Sequence, residues 1–207
     1  VIETPAPEGL RARKRRATEN AIEMASAGLA LELGFENVTV EAICDRADVS
    51  RSTLFNYFPS RDAAIVGRPI PVLGGDEAAE VLAQTPGDLT RGIYRLIFAS
   101  IGHSHVNSDV ARLRGRLVTE QPAARRVGMI LLIESGERLM AEAARWLRAH
   151  PDLARLPGQP EREASLAVNA AYTALTVMAG GWLSSIGDVQ ASEAAFDAAI
   201  AELRAVL

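Results

Sequence analysis

The side chains best suited to chemistry crowd between Thr39 and Phe58, in the run TVEAICDRADVSRSTLFNYF. Arg51, Ser52, Thr53, Asn56 and Tyr57 are spaced to share the outer face of a short helix. Each can hydrogen-bond a phosphate or a base edge. Arginine matches the O6/N7 edge of guanine bidentately and asparagine the N6/N7 edge of adenine, so Arg51 and Asn56 are the candidate base readers. Thr39, Ser50, Tyr57 and Arg61 are candidates for gripping the phosphate backbone, helped by free N–H groups at helix starts. Arg11, Arg13, Lys14, Arg15 and Arg16 precede or open the helix upstream, where basic arms run along a DNA backbone or into a minor groove. Of these, Arg15 is taken as the contact residue. A polar helix face by itself is ordinarily just solvated, so the assignment depends on the apolar pattern around it.

That pattern is specific. Val40, Ile43 and Ala47 face one way on a first short helix, Val49 sits in a tight turn, and Leu54 and Phe58 face back from a second. Two short helices joined steeply bury these residues against a longer one at 10–33, whose stripe is Ala21, Ile22, Ala25, Leu29 and Leu33. The outer face of the second short helix is then free to enter a major groove. Gly34 ends the long helix. Thr39, Ser50 and Ser60 stand at the starts of three short helices, where a side-chain oxygen caps free N–H groups.

From Arg15 to about Ile65 the chain resembles the N-terminal domain of the tetracycline-repressor (TetR) family. The resemblance rests on GFENVTVEAICDRADVSRSTLFNYFPSRDAAI and the amphipathic helix before it, and it covers about the first third of the chain. It implies a homodimer, a palindromic double-stranded DNA operator, repression, and a second domain that takes a small-molecule inducer. Family members have a longer fourth helix; here Pro69 and Pro71 cut it short. The run Glu120-Gln121-Pro122 into a long helix resembles the branch of the family with acyl-CoA-like ligands.

Composition sets the bounds. The 207 residues are 48% hydrophobic with net charge −4, so a core is affordable and non-specific coating of nucleic acid is disfavoured. Even Val1–Asp62 carries eight basic and ten acidic residues, so attraction to DNA must come from placement rather than total charge. Cys44 is the single cysteine, which excludes an internal disulfide and suits a reducing cytoplasm; it reads as a small core residue. The densest apolar run, Val127–Ile133, is too short to span a membrane, and residues 1–9 read as a disordered tail without a leader's apolar stretch. No nucleophile elbow, phosphate loop or dinucleotide fingerprint occurs, which argues against an enzyme or a cofactor. His103 and His105 lack the third and fourth ligands a metal site needs, with His150 far along the chain.

Helical periodicity runs almost throughout, with no alternating run for a strand, so the fold is all-α. A three-helix helix-turn-helix domain at 10–66 and a linker at 67–75 precede a larger helical bundle at 76–207. The bundle's helices are expected at 76–84, 89–103, 109–121, 122–149, 160–186 and 192–206, with the apolar run Met129–Ile133 surrounded on all sides. Candidates for lining a ligand cavity are Phe98, Ile101, Leu113, Leu117, Met129, Ile133, Met140, Tyr172 and Thr176. Few charges fall on these stripes, which favours an apolar or amphipathic ligand. Ala171, Leu175, Met178, Trp182, Phe196, Ile200 and Leu203, on the last two helices, are the candidate dimer contacts. A second functional class stays open: a DNA-binding regulator without small-molecule input, controlled by a partner protein or by its own concentration.

Overall fold

The computed structural model describes residues 9–185 and 187–207. The expected tail, residues 1–9, therefore lies outside the described residues except for Gly9. The chain divides into two compact units: the residues through Arg68 together with Arg112–Gly128, and Pro69–Ala111 together with Met129–Leu207. A boundary drawn only at the Gly67–Gly75 break thus misses a segment, because 112–128 packs with the first unit.

In the first unit α1 (Leu10–Leu33) is followed by a 3-10 turn (Phe35–Asn37), α2 (Val40–Ala47), α3 (Arg51–Tyr57) and α4 (Arg61–Val66). Gly34 lets the chain leave α1 at φ 90°, a conformation that a side chain would resist. Ile22, Leu29, Ala30, Phe35, Val38, Ile43, Leu54, Phe58 and Ile65 form one core, completed by Cys44, Leu117 and Ala124. The last two come from α7 (Ser108–Glu120) and α8 (Pro122–Ala149). Polar side chains tie that segment down. Gln121 accepts from Phe35 N–H and donates to Ala30 O, each at 2.7 Å. Arg114 donates to the carbonyls of Ile65 (3.0 Å) and Ala64 (3.1 Å) in the last turn of α4 and pairs with Glu23 at 2.9 Å. The fourth helix is short, as Pro69 and Pro71 require: it stops at Gly67, φ 107°, and the chain stays non-helical to Gly74.

The second unit contains α5 (Gly75–Ala83), α6 (Leu89–Ile101), the start of α7, most of α8, α9 (Pro160–Leu183) and α10 (Glu193–Val206). Its core gathers Leu82, Ile93, Leu96, Leu139, Leu147, Val168 and Phe196 around the alanines of α8, α9 and α10. Tyr94 stacks on Phe196 with ring centroids 4.3 Å apart. Arg95 grips Glu193 through two hydrogen bonds of 2.6 and 2.9 Å, joining α6 to α10.

Three expectations need correction here. A two-stranded antiparallel ladder does exist, β1 (His105–Asn107) on β2 (Asp188–Gln190), with Val106 opposite Val189. Three residues are too few for a period of two to register. Met129, Ile130, Leu132 and Ile133 are about half exposed rather than surrounded, because the buried stripe of α8 in this unit starts one turn later, at Ser135, Gly136 and Leu139. The helix most like a membrane span is α9, long and apolar enough by length and composition, with a window hydropathy of 1.3. Its Ala164, Ala167, Val168, Ala171, Ala174 and Met178 are buried in the second unit's core, while Leu166, Val177 and Leu183 are exposed.

Candidate nucleic-acid interface

The turn between α2 and α3 is three residues, Asp48-Val49-Ser50. Asp48 adopts the left-handed conformation (φ 52°) that a short polar side chain tolerates, and Val49 N–H returns to Cys44 O at 3.0 Å. Three caps start the short helices. Thr39 Oγ1 accepts from Ala42 N–H at 3.1 Å, Ser50 Oγ from Thr53 N–H at 3.0 Å, and Ser60 Oγ from Ala63 N–H at 3.1 Å. Leu54 and Phe58 are fully buried, which fixes the rotation of α3 about its axis. Arg51, Ser52, Phe55 and Asn56 consequently face solvent, while Thr53 and Tyr57 are half-buried.

Beside this face lies a cleft of about 450 Å³ lined by Arg11, Lys14, Arg15, Thr18, Asn56 and Tyr57. The Arg15 guanidinium sits 5.9 Å from the Tyr57 ring centroid, within cation–π range. Three cations, a hydroxyl, a carboxamide and a phenol line one polar cleft, a set of donors chemically able to hold a phosphate. Total charge could not reveal it, since several acids of the unit are held by other arginines. Glu32 is held by Arg46 through two hydrogen bonds of 2.8 Å, which keep its carboxyl below the usual carboxylate range, and Glu23 by Arg114.

Several candidates have internal partners: the Ser50 hydroxyl lies 2.8 Å from those of both Ser52 and Thr53, and Arg61 and Arg51 are each engaged within the unit. Arg61 is not a free phosphate contact: it donates to Val38 O at 3.0 Å, pairs with Asp62 at 2.6 Å and covers the Phe35 ring at 5.0 Å. Its place at the start of α4 faces it toward the 3-10 turn. Arg51 pairs with Glu41 and lies 6.0 Å from the Phe55 ring centroid. Both partners are about 60% exposed, and such surface pairs contribute only about 0–1 kcal/mol. A bidentate guanine contact is worth about 1–3 kcal/mol of discrimination, so exchanging Glu41 for a base costs little. Phe55, 44% exposed on this face, was missed by a search for polar groups; an aromatic edge there suits a thymine methyl. Cys44 is buried, and burial pushes its thiol pKa up, so it is held un-ionised in the core of this unit.

The other candidates divide between the units. Phe98, Ile101, Met140 and Tyr172 pack partly buried against the second core. Tyr172 has an unpartnered buried hydroxyl, and burial pushes its pKa up. Thr176 is exposed and donates to Tyr172 O at 2.9 Å, while Met129 and Ile133 are exposed too. Leu113 and Leu117 belong to the first unit, with Leu117 fully buried in its core. The nine residues are thus divided between the two units. Gln121, part of the acyl-CoA-like signature, serves instead as the clamp on Ala30 and Phe35. On the last two helices Ala171, Met178 and Phe196 are buried in their own unit and have no area to give a partner. Leu175, Trp182, Ile200 and Leu203 are half-buried. Exposed apolar area on α9 comes instead from Leu166, Val177 and Leu183. His103 and His105 ring centroids are 6.2 Å apart, and His150 stacks on Trp146; no three His, Cys, Asp or Glu residues converge among the described residues.

The family described as "Bacterial regulatory proteins, tetR family" matches residues 24–64, from mid-α1 into α4. The transcriptional repressor KstR of Mycobacterium tuberculosis is 41% identical over 54 residues, which span 26% of this chain and 22% of that repressor. Two solved structures are similar at low identity. One, described as a TetR-family transcriptional regulator from Mesorhizobium loti, is 18% identical over 96% of this chain and 98% of its own, with a TM-score of 0.41. The other, RolR in complex with resorcinol, is 22% identical over 91% of this chain and 96% of its own, with a TM-score of 0.28. The family match falls on the helix-turn-helix itself, so residues 24–64 are similar to the DNA-binding segment of bacterial regulatory proteins of the tetR family.

Proposed function

We propose that this protein is a ligand-responsive repressor that binds a palindromic operator as a homodimer in the cytoplasm. The observation that carries the reading is the joint face of α3 and α1. Arg51, Ser52, Phe55 and Asn56 stand opposite the buried Leu54 and Phe58, beside the cleft of Arg11, Lys14 and Arg15. A recognition helix presented this way reads three or four base pairs, while the cleft grips the adjoining phosphates. One short helix contacts too little DNA for useful specificity, so two copies on half-sites about 34–36 Å apart, or a multiple, are required. The outward faces of α9 and α10 support self-association. Leu166, Val177 and Leu183 are exposed beside small residues such as Gly180, Ala198 and Ala201, which let helices approach closely. A cavity of about 300 Å³ in the second unit favours small-molecule input over control by concentration alone. Release then requires that the ligand bind the DNA-free form more tightly.

Selection of bound duplexes from a random pool tests the proposal and supplies the operator. Arg51→Ala and Asn56→Ala should each relax specificity at one position, at a cost of about 1–3 kcal/mol. Arg15→Ala should weaken binding to all sequences and flatten the salt dependence by about one unit of log–log slope. Recovery of no palindrome, or unchanged specific-to-random ratios in both reading-helix variants, refutes the assigned face.

A further inference from the structure

Among the described aromatic side chains Phe55 alone is exposed; every other ring is buried or half-buried. The core makes no use of it, because Leu54 and Phe58, both fully buried, supply the inward contacts of α3. A single exposed apolar residue is ordinary on a protein surface, so its placement has to carry the argument. Arg51 stands one turn before it on the same helix face, with its guanidinium 6.0 Å from the ring centroid. The other side chains of the face are engaged elsewhere. The Ser52 and Thr53 hydroxyls each lie 2.8 Å from Ser50 Oγ, and Asn56 and Tyr57 line the cleft beside Arg15. What remains is one cationic and one apolar group side by side, with Glu41 of α2 paired to the cation.

The floor of a major groove is polar except at one feature, the 5-methyl group of thymine. A phenyl ring pressed onto a polar base edge strips water from it and returns no hydrogen bond. Against the methyl, the same ring buries apolar surface on both sides. The spacing to Arg51 fixes where that methyl must lie. Four residues of helix rise about 6 Å, and base pairs stack about 3.4 Å apart, so the two side chains reach positions fewer than two steps apart. Cytosine lacks the methyl, and 5-methylcytosine presents it at the same place. We infer that Phe55 makes operator binding depend on a pyrimidine 5-methyl group within two base pairs of the guanine that Arg51 reads. Thymine and 5-methylcytosine satisfy the ring there; uracil and unmodified cytosine do not. The inference rests on the reading of α3 as the base-contacting helix and names a further determinant of its specificity.

The probe is the palindrome recovered from the random pool, titrated with the full wild-type chain. Deoxyuridine replaces each thymine of a half-site in turn, which removes the 5-methyl and leaves the hydrogen-bonding edge unaltered. One replacement, within two base pairs of the guanine whose selection Arg51→Ala relaxes, should weaken binding about 4-fold, the scale of one buried methyl group. With cytosine–guanine placed at that pair, methylating the cytosine C5 should strengthen binding by about the same factor. In Phe55→Ala, thymine and uracil should bind equally at that pair while the preference for guanine persists. A ring that only supported the fold would leave the thymine-to-uracil ratio unchanged. The uracil series uses the wild-type chain, so it decides the question even where the variant binds poorly. A half-site with no thymine that close to the guanine, uracil tolerated at every position, or a uracil penalty that survives Phe55→Ala overturns the inference. Those results with a palindrome recovered and a position relaxed by Arg51→Ala remove the role of Phe55 alone. Recovery of no palindrome removes the base-reading assignment of α3 together with it.

Discussion

Arg114 offers the sharpest test of how the first unit is held together. It lies far along the chain in α7, yet its guanidinium satisfies the Ala64 and Ile65 carbonyls and pairs with Glu23 on α1. The two side chains are 21% and 16% exposed, so water screens them only in part. Arg114→Met keeps the aliphatic stem and removes all three contacts. Breaking a fully buried pair costs about 3–5 kcal/mol, and hydrogen bonds to charged groups contribute about 1.5–3 kcal/mol each. Residual exposure lets water re-satisfy some of these groups, so the expected loss is about 2–4 kcal/mol. Glu23→Gln should cost about 1–2 kcal/mol, and the double variant less than the sum, with a coupling of about 1–2 kcal/mol. Urea unfolding followed by far-UV circular dichroism reads the change as a shift in midpoint at constant slope. Both tryptophans, Trp146 and Trp182, lie in the second unit, so their fluorescence monitors that unit separately. A midpoint unchanged within about 0.5 kcal/mol in Arg114→Met, or a coupling of zero, would refute the claim that this arginine ties the segment to the reading head.

Tyr94 predicts an alkaline limb: burial, reinforced by Glu193 and Asp197, pushes its pKa up to about 12. The neutral phenol is favoured in the folded state, so its contribution is complete below the unfolded value near 10 and disappears as pH rises toward 12. Tyr94→Phe should flatten stability across that window, and an unaltered pH profile would mean that the ring is not desolvated as described. For self-association, Leu166→Glu or Val177→Glu puts a charge on an exposed face of α9, so each should leave the monomer folded and shift sedimentation toward it. An undiminished dimer in both variants would move the interface off α9.

The sequence by itself determined the helical class, the helix-turn-helix and the rotation of its reading helix. Those depend on interactions within a few residues: Leu54 and Phe58 one turn apart, hydroxyls of Thr39, Ser50 and Ser60 at helix starts, a three-residue turn at Asp48. Periodicity and capping are local, so they can be read in one dimension. Tertiary structure alone decided what each long-range partner does. Arg61 looks the same in the sequence whether it meets phosphate or Val38 O, and Gln121 gives no sign that it clamps Ala30 and Phe35. Leu117 and Phe98 lie on equally apolar stripes, yet one packs with the reading head and the other with the second core. The cavity beside Trp146 is a volume left between segments distant in the chain. Apolar pattern tells which face of a helix is buried; which neighbour buries it depends on how the chain returns, and one helix's own residues do not encode that.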